Sequence, residues 1–563
     1  MCNRGGYFLK EDIAAFDAPF FSISPAEAKC MDPMQRILLE VVYEALESGG
    51  IPASAIAGSD TGCYVGCFTY DYDGILKRDI ELSPRYTAVG VGNAMLANRI
   101  SFSFDLKGPS LTIDSACSSS LIGVHLACQS IRTGESKMAI VGGANAILNP
   151  DMNISMTNMH FLSPDSRCYA FDERANGYAR AEGVAAIILK PLRDALRDGD
   201  TVRAVIRGTA SNQDGKTPSI TLPSKSAQIS VIQAAYDQAG CNPSLTGYFE
   251  AHGTGTQAGD PVEASAIGAT LGKYRTDDED GKLYVGSIKT NIGHMEGASG
   301  LAGLIKAVLS VERGIILPNL WFEKGNPAID FDRLHIRVPT EPTPWPSTGI
   351  RRASINSFGY GGSNAHVIID DASNYLELRG LKGNHRTTQL PIISNEILPM
   401  RPSTNLCGEK MTGRDRDNSC SEISHERAPR PRIFYLAAHE REGVIANAKA
   451  YANHLSIRVE NYDELFLDEL AYTLSERRSR LQWGSIFVAS TTAELIRKLN
   501  DNSLNPVRHL SEVPKIGFVF SGQGAQWWRM GRELLVYPSF AHFLNQAQIY
   551  LEEIGSPWSL LGE

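Results

Sequence analysis

Short apolar runs alternate with amphipathic stretches from about residue 37 to residue 371. Continuous apolar runs predict strands that are covered on both faces, and they occur at 138–147, 183–192, 202–210, 283–288 and 365–370. Two stretches between them, 224–240 and 299–314, have helical spacing and end in glycine, where helices commonly stop. This alternation of strands and helices predicts an α/β layered architecture.

The pattern changes after residue 371. Residues 374–431 are polar, interrupted by proline and dense in charge, which predicts a disordered linker. Regular patterning returns at residue 432 and predicts a small α+β unit that extends to residue 512. A strand-turn-helix pattern opens near Lys515, and the sequence ends at Glu563. Residues 513–563 are therefore expected to be only the first part of a further domain.

Length, charge and cysteine usage narrow the class of protein. A chain of 563 residues is too long for one hydrophobic core. A formal net charge of −9 and the lack of a basic run argue against nucleic-acid binding. The N-terminus is charged where a signal peptide is apolar, and no window reaches the roughly 18 apolar residues of a membrane span. With ten scattered cysteines and no CxxC pair, we expect a reduced, cytoplasmic protein.

One cysteine, Cys117, precedes an apolar stretch in "TIDSACSSSLIGVHLACQSI". Apolar residues cover most of the circumference of the predicted helix, which indicates that the helix is buried. A cysteine at its N-terminal end faces unpaired backbone N–H groups and the positive end of the helix dipole, and both stabilise a thiolate. Small neighbours would let a substrate approach. From this segment alone, a nucleophile and an inert buried thiol both remain possible.

Two histidines lie in glycine-rich loops that directly follow predicted strands. His252 occurs in "GYFEAHGTGTQAGDPVE", and His294 occurs with Lys289 and Glu296 in "LYVGSIKTNIGHMEGASG". Functional groups collect at the carboxyl ends of strands in open α/β sheets, and glycine permits close approach there. A structural hydrogen bond is the alternative for each histidine. The parallel layout of the two loops favours a functional role for both.

A third glycine-rich loop, "INSFGYGGSNAH", contains Phe358. It is either a simple turn or a loop beside a site, with an aromatic gate and N–H groups for an oxyanion. His125 and His366 are expected to be structural. No HExxH motif or carboxylate array predicts a metal site, and no GxGxxG in its strand-helix context predicts a dinucleotide site. We therefore expect neither a metal nor a bound cofactor.

Four motifs in order, "DSACSSS", "EAHGTGTQAGDPVE", "KTNIGHMEGASG" and "SFGYGGSNAHVI", resemble the β-ketoacyl synthase domain of type I polyketide synthases. Flanking segments such as "FDAPFFSISPAEAKCMDPMQRILLE" resemble the highly reducing fungal synthases most. The resemblance implies a thiolase-like fold of five αβαβα layers over residues 1–373, without its usual first strand, and commonly a homodimer. It further implies a disordered linker at 374–431, a ketosynthase-acyltransferase linker domain at 432–512, and a truncated acyltransferase domain at 513–563.

The same resemblance implies an acyltransferase that performs a decarboxylative Claisen condensation in secondary metabolism. Cys117 would hold the acyl chain as a thioester. His252 and His294 would promote loss of CO₂ from a malonyl thioester and stabilise the enolate. Acyl and malonyl groups would arrive on the phosphopantetheine of an acyl carrier protein, supplied by an acyltransferase of the same or a partner synthase.

Supporting roles are implied for further residues. Lys289 would orient His294 or its neighbours, and Glu296 would support the same network. The backbone amides of Cys117 and Phe358 would form the oxyanion hole.

Three departures from the family pattern open an alternative. The usual first strand is missing, Ala179 and Ala181 stand where glycine is frequent, and Gln523 matches an acyltransferase oxyanion residue without the serine motif it serves. The alternative to an active ketosynthase is a catalytically silent, truncated remnant or scaffold. Retention of Cys117 and both loop histidines favours the enzyme.

Overall fold

A computed structural model of the chain describes residues 5–79, 81, 84–276, 278, 281–388, 430–457, 464–509, 515, 517–525, 527 and 529–560. The chain divides into two compact units, Met1–Arg508 and His509–Glu563.

The strands are β1 (Thr61–Gly66), β2 (Ser110–Ile113), β3 (Met138–Asn145), β4 (Gly183–Leu189), β5 (Thr201–Val202), β6 (Ala204–Gln213), β7 (Thr246–Glu250), β8 (Leu283–Gly286), β9 (Ile315–Ile316), β10 (Ile336–Arg337), β11 (Thr343–Pro344), β12 (Arg352–Phe358), β13 (Ser363–Asp371), β14 (Asn384–His385), β15 (Arg432–Ala438), β16 (Trp483–Ala489) and β17 (Val507–Arg508).

The helices are α1 (Pro25–Ala28), α2 (Pro33–Gly49), α3 (Ala53–Ile56), α4 (Asp71–Leu76), α5 (Thr87–Val91), α6 (Met95–Ser103), α7 (Ser119–Thr133), α8 (Asp151–Asn158), α9 (Leu192–Arg197), α10 (Lys225–Ala239), α11 (Gly259–Thr270), α12 (Lys289–Ile292), α13 (Ser299–Arg313), α14 (Ala372–Leu378), α15 (Arg441–Ile457), α16 (Glu464–Glu476), α17 (Thr492–Leu499) and α18 (Pro538–Glu553).

Two mixed sheets form the body of the first unit. One has the strand order β2-β1-β3-β4, and the other has the order β10-β8-β7-β12-β13-β6. Strands β1 and β2, and strands β7 and β8, run parallel, whereas β4 and β13 pair antiparallel with their neighbours β3 and β12. Parallel strands need helical crossovers, and these helices cover the sheet faces.

The layers alternate between helices and sheets. Helices α2 and α6 pack on the outer face of the first sheet, α7 and α13 fill the space between the sheets, and α10 and α11 cover the second sheet. Three apolar cores result. Two lie on either side of the central helix layer, and the third contains the helices of that layer. The predicted five-layered αβαβα fold is confirmed.

The predicted elements are confirmed with small shifts at their ends. The five apolar runs correspond to β3, β4, β6, β8 and β13, and the two helical stretches correspond to α10 and α13. Gly240 and Gly314 follow these helices with left-handed φ angles of +57° and +69°, so the glycine stop signals mark the helix ends.

The region predicted as a linker is partly ordered. Residues 374–388 are not a disordered linker, because they contain most of α14 and strand β14, which pairs with β5. Leu376 is buried, and the Thr388 N–H donates to the Glu312 carbonyl. A single buried leucine and backbone hydrogen bonds order a polar segment whose composition alone suggests disorder. Residues 389–429 lie outside the described residues, and the domain boundaries remain a prediction.

Two smaller parts follow. A three-stranded antiparallel sheet, β15-β16-β17, packs with α15, α16 and α17 around its own core, and we call this part the small domain.

In the second unit, the strand predicted near Lys515 is not formed in the described residues. Phe518, Val519 and Phe520 are exposed instead, because a strand needs a neighbouring strand to pair with. None of the described helices is long and apolar enough to cross a membrane.

Candidate active site

Cys117 lies in a tight turn between β2 and α7. Ala116 has a φ of +56°, a left-handed conformation that non-glycine residues rarely adopt, and α7 begins two residues after the cysteine. The thiol is only 3% exposed. Ser357 of β12 donates its hydroxyl to the Cys117 carbonyl at 2.8 Å, which ties the turn to the second sheet. The turn therefore presents the sulfur between the two halves of the unit.

Burial raises the pKa of the Cys117 thiol above its usual range, and the nearby Glu296 carboxyl raises it further. The Lys289 ammonium and the backbone N–H groups of Tyr360 and Cys117 act in the opposite direction. The predicted stabilisation by N–H groups is present, but the loss of hydration is the larger effect on the pKa. Burial therefore disfavours the thiolate in the free site.

His252 follows β7 and is held by both its ring and its backbone. Its Nδ1 accepts a hydrogen bond from the Phe358 N–H at 3.3 Å, so in the neutral ring the proton is on Nε2. Glu263 accepts from the N–H groups of His252 and Gly253, each at 2.8 Å. Burial and the charge of Lys289 lower the pKa of His252 well below its usual value. The ring is therefore a neutral hydrogen-bond donor.

His294 is completely buried. Its Nδ1 accepts from the Glu296 N–H at 2.9 Å, so the ring proton is again on Nε2, and that nitrogen has no partner among the described residues. Tyr178 stacks on the ring with centroids 4.5 Å apart. Burial lowers the pKa of His294 well below its usual value. The backbone of Ala179 and Ala181 bonds His294 on both sides, so these alanines act through main-chain groups.

The structure brings the cysteine and the two histidines together. The rings of His252 and His294 are perpendicular, with centroids 5.8 Å apart. The Cys117 sulfur, a His294 nitrogen and a Glu296 carboxylate oxygen all lie within 4.8 Å of one another. The cysteine follows a strand of one sheet and the histidines follow strands of the other, so neither half holds the whole group.

Lys289 and Glu296 supply charge to this group. Lys289 opens the short helix α12 and is 3% exposed, and burial lowers its pKa. Arg180 Nε donates to Glu296 Oε1 at 2.9 Å. Burial nevertheless raises the pKa of Glu296 to about 7, because the arginine only partly offsets the loss of hydration. Glu296 Oε2 has no hydrogen-bond partner in the described part of the chain.

The glycine-rich loop after β12 places its aromatic residues differently from the prediction. The Phe358 N–H donates a hydrogen bond to His252 Nδ1, so it is not available for an oxyanion hole beside Cys117. The amide that reaches the Cys117 sulfur belongs to Tyr360, which sequence reasoning missed. The Tyr360 ring contacts those of Phe68 and Phe161 and is 43% exposed. Its signal was the second aromatic residue in "FGYGG".

An apolar cluster surrounds the sulfur. Its buried members besides Cys117 are Phe68, Met156, Leu162, Cys168, Tyr178 and Ala179. Such a surface binds hydrocarbon and excludes water, which suits an acyl chain attached to the cysteine.

The two histidines that were expected to be structural lie outside this group, and the group itself does not suit a metal ion. His125 hydrogen-bonds Thr209, and His366 hydrogen-bonds Asn356, both through Nδ1 and away from the sulfur. Cysteine, histidine and glutamate are metal-binding residue types, but the positive charges of Arg180 and Lys289 act on this group and oppose a bound cation. The group is better suited to nucleophilic chemistry.

Comparison with protein families finds three adjacent matches. The N-terminal domain of β-ketoacyl synthase matches residues 1–195, and its C-terminal domain matches residues 203–323. The ketoacyl-synthetase C-terminal extension matches residues 325–396.

The chain is also similar to individual polyketide synthases and to solved ketosynthase structures. The chain is 49% identical over its whole length to the highly reducing polyketide synthase Preu1 of Preussia isomera and 47% identical to the reducing polyketide synthase FUB1 of Gibberella moniliformis. It spans 22% of the length of each. Among solved structures, the ketosynthase from module 6 of the bacillaene synthase of Bacillus subtilis 168 is 30% identical, with a TM-score of 0.72. That match covers 99% of this chain and 86% of the bacillaene ketosynthase.

Proposed function

The chain belongs to the β-ketoacyl synthase family, whose members are condensing acyltransferases, and we propose that it is the ketosynthase region of a highly reducing polyketide synthase. Its reaction is the decarboxylative condensation of a malonyl thioester with an acyl chain carried on Cys117.

One observation carries this proposal. A buried thiol lies beside two neutral imidazoles whose Nδ1 atoms each accept a backbone N–H, so both rings have their protons on Nε2. Two donors beside a nucleophile are what an enolate requires, because the negative charge that develops on the thioester oxygen needs hydrogen bonds. A hydrolytic triad would instead need a histidine free to accept the thiol proton.

In the first step, the Cys117 sulfur attacks the carbonyl carbon of an acyl thioester. The N–H groups of Cys117 and Tyr360 lie beside the sulfur and stabilise the oxyanion of the tetrahedral intermediate. The carrier thiol leaves, and the chain is held as a thioester among the apolar residues around Cys117.

In the second step, a malonyl thioester loses CO₂. The electron pair of the broken carbon-carbon bond becomes the enolate, whose oxygen accepts hydrogen bonds from Nε2 of His252 and His294. The enolate carbon then attacks the Cys117 thioester and releases the cysteine sulfur. The product is a β-ketoacyl thioester two carbons longer.

The substrates and partners belong to the same proposal. Acyl and malonyl groups arrive on the phosphopantetheine arm of an acyl carrier protein and are loaded by an acyltransferase, and the ketosynthase works as a homodimer in the cytoplasm. We assign residues 432–512 to a linker domain between ketosynthase and acyltransferase and residues 513–563 to the beginning of the acyltransferase. Resemblance to multidomain synthases of which this chain spans 22% supports these assignments.

The alternative, a silent remnant or scaffold, has no observation in its favour. The proposed catalytic groups lie close together, and the backbone bonds that orient both imidazoles are in place.

Acyl transfer to Cys117 tests the proposal. Purified protein incubated with an acyl thioester should gain acyl mass on the Cys117 peptide, and Cys117→Ala should gain none. His252→Ala and His294→Ala should abolish malonyl decarboxylation and still load acyl groups, because the histidines act on the enolate.

The readout is peptide mass spectrometry for loading and CO₂ release for decarboxylation. Unmodified wild-type peptide, under conditions that load an intact synthase, would show that the protein is no ketosynthase. Loss of loading in both histidine variants, with circular dichroism unchanged, would contradict the division of roles.

A further inference from the structure

Acyl loading requires the Cys117 thiol to lose its proton. The sulfur is buried and its pKa is raised, so the thiolate is a minor form before substrate arrives. The backbone N–H groups beside the sulfur stabilise a thiolate once it forms, but an N–H group cannot take up a proton. A proton acceptor must therefore lie close to the sulfur.

Neither histidine can be that acceptor in its present form. The Nδ1 lone pair of His252 is used by the Phe358 N–H, and that of His294 is used by the Glu296 N–H. The other nitrogen of each neutral ring already carries the proton. Both imidazoles can donate to substrate, and neither offers a lone pair to the thiol.

Glu296 has the required lone pair and position. Its carboxylate belongs to the group that includes the Cys117 sulfur, within 4.8 Å, a distance that one water molecule or a small side-chain rotation spans. Arg180 holds Oε1, whereas Oε2 has no hydrogen-bond partner in the described chain although the residue is 0% exposed. A buried carboxylate oxygen without a partner is costly unless the site uses it.

We propose that Glu296 accepts the Cys117 proton during acyl loading and returns it to the departing carrier thiol. The inference rests on the proposed ketosynthase function and assigns a catalytic proton transfer to a residue first expected to play only a supporting part. Cys117 loses a proton and gains the acyl group, and the carrier sulfur loses the acyl group and gains the proton. The carboxylate is regenerated in each cycle, and no other reactant is needed.

The charged surroundings of Glu296 suit this role. Several ionisable groups interact electrostatically with the Glu296 carboxyl. They are Arg180, Asp71, His294, Tyr178, Tyr360, Cys168 and Cys117. Arg180 favours the carboxylate, and burial favours the acid, so the two forms interconvert near neutral pH. Lys289 lowers the pKa of Cys117 through its charge, but a protonated amine has no lone pair and cannot accept the proton.

Glu296→Gln tests the proposal because glutamine keeps the shape and cannot accept the proton. We expect acyl loading to fall by about a hundredfold, the lower range for a lost general base, while malonyl decarboxylation changes little. The matched control is Glu312→Gln, which also removes a largely buried carboxylate from an arginine, Arg203, but lies away from the sulfur. It should load normally. Loading by Glu296→Gln at the wild-type rate would overturn this inference and would leave the proposed ketosynthase function standing.

The wild-type protein offers a second measurement if the variant does not fold. Its loading rate should rise with pH through an apparent pKa of about 7 and then level off, because only the carboxylate form of Glu296 accepts a proton. Decarboxylation should stay level from about pH 6 to pH 8, because both histidines remain neutral there. A loading rate that rises only above about pH 9, as thiol ionisation alone predicts, would overturn the inference. No loading at all would overturn the proposed function as well.

Discussion

Two residues at the site have left-handed backbone conformations, which residues other than glycine rarely adopt. Ala116 has a φ of +56° and Glu296 has a φ of +48°. Ala116 turns the chain so that Cys117 lies just before α7, and the conformation of Glu296 accompanies the bond from its N–H to His294 Nδ1. Such strain costs about 1–3 kcal/mol per residue and persists where the surrounding fold enforces it.

Contact between the glycine-rich loop and the cysteine turn depends on Gly359. A β-carbon there would lie 2.3 Å from the Ser115 carbonyl oxygen, whereas one on Gly361 would meet nothing within 4 Å. We predict that Gly359→Ala lowers acyl loading by about 10-fold to 100-fold, because the Tyr360 amide moves away from the sulfur. Gly361→Ala is the control and should load normally. Equal loading by the two variants, measured by mass spectrometry, would contradict the role of this contact.

At the scale of elements, a buried ion pair joins the second sheet to the central helix layer. Lys306 of α13 lies 2.8 Å from Glu250 Oε2 of β7, and both side chains are nearly inaccessible. Tyr248 donates to the same carboxylate, and the Ile288 N–H donates to its other oxygen. One carboxylate thus connects β7, α13 and the residue that precedes Lys289.

Breaking this pair from one side should destabilise the protein strongly. We predict that Lys306→Met costs about 3–5 kcal/mol, because it leaves Glu250 charged and buried without its partner. The double variant Lys306→Met with Glu250→Gln should recover part of that loss, since no uncompensated charge remains. Urea midpoints of the three proteins measure the effect. A double variant less stable than the single one would show that the carboxylate matters apart from its charge.

At the scale of the whole first unit, the small domain is attached through an arginine on the turn after α16. Arg477 donates to the carboxylate of Asp200 at 3.0 Å and to the carbonyls of Asp198 and Gly199. Glu47 of α2 pairs with Arg478 in the same region. These contacts are polar and peripheral, whereas the small domain has an apolar core of its own.

We predict that Arg477→Ala loosens this attachment and leaves the chemistry intact. A partly exposed ion pair contributes about 1 kcal/mol, so protease cleavage in the small domain should become about fivefold faster, with acyl loading unchanged. Arg441→Ala is the control, because Arg441 bonds Asn505 and Glu442 within the small domain. Equal cleavage rates in the two variants would show that Arg477 does not hold the domains together.

Much of the molecule follows from local pattern. Apolar runs predicted β3, β4 and β13 because a strand covered on both faces has no polar positions, and terminal glycines marked the ends of α10 and α13. The loops with His252 and His294 were recognisable because strands and glycines flank both. Local pattern gave the wrong prediction at residues 374–388, because long-range contacts order this polar segment. It also failed near Lys515, where the described residues contain no partner strand and the apolar side chains are exposed.

The sequence by itself determined which residue types enter the site and which elements present them, since hydrophobic period and glycine placement are local properties. Tertiary structure decided how those residues act. Packing against two sheets raises the thiol pKa, fixes the ring proton of His252 on Nε2 through the Phe358 N–H, and selects Tyr360 rather than Phe358 beside the sulfur. Burial, hydration and hydrogen-bond partners depend on residues more than a hundred positions apart, which no local pattern records.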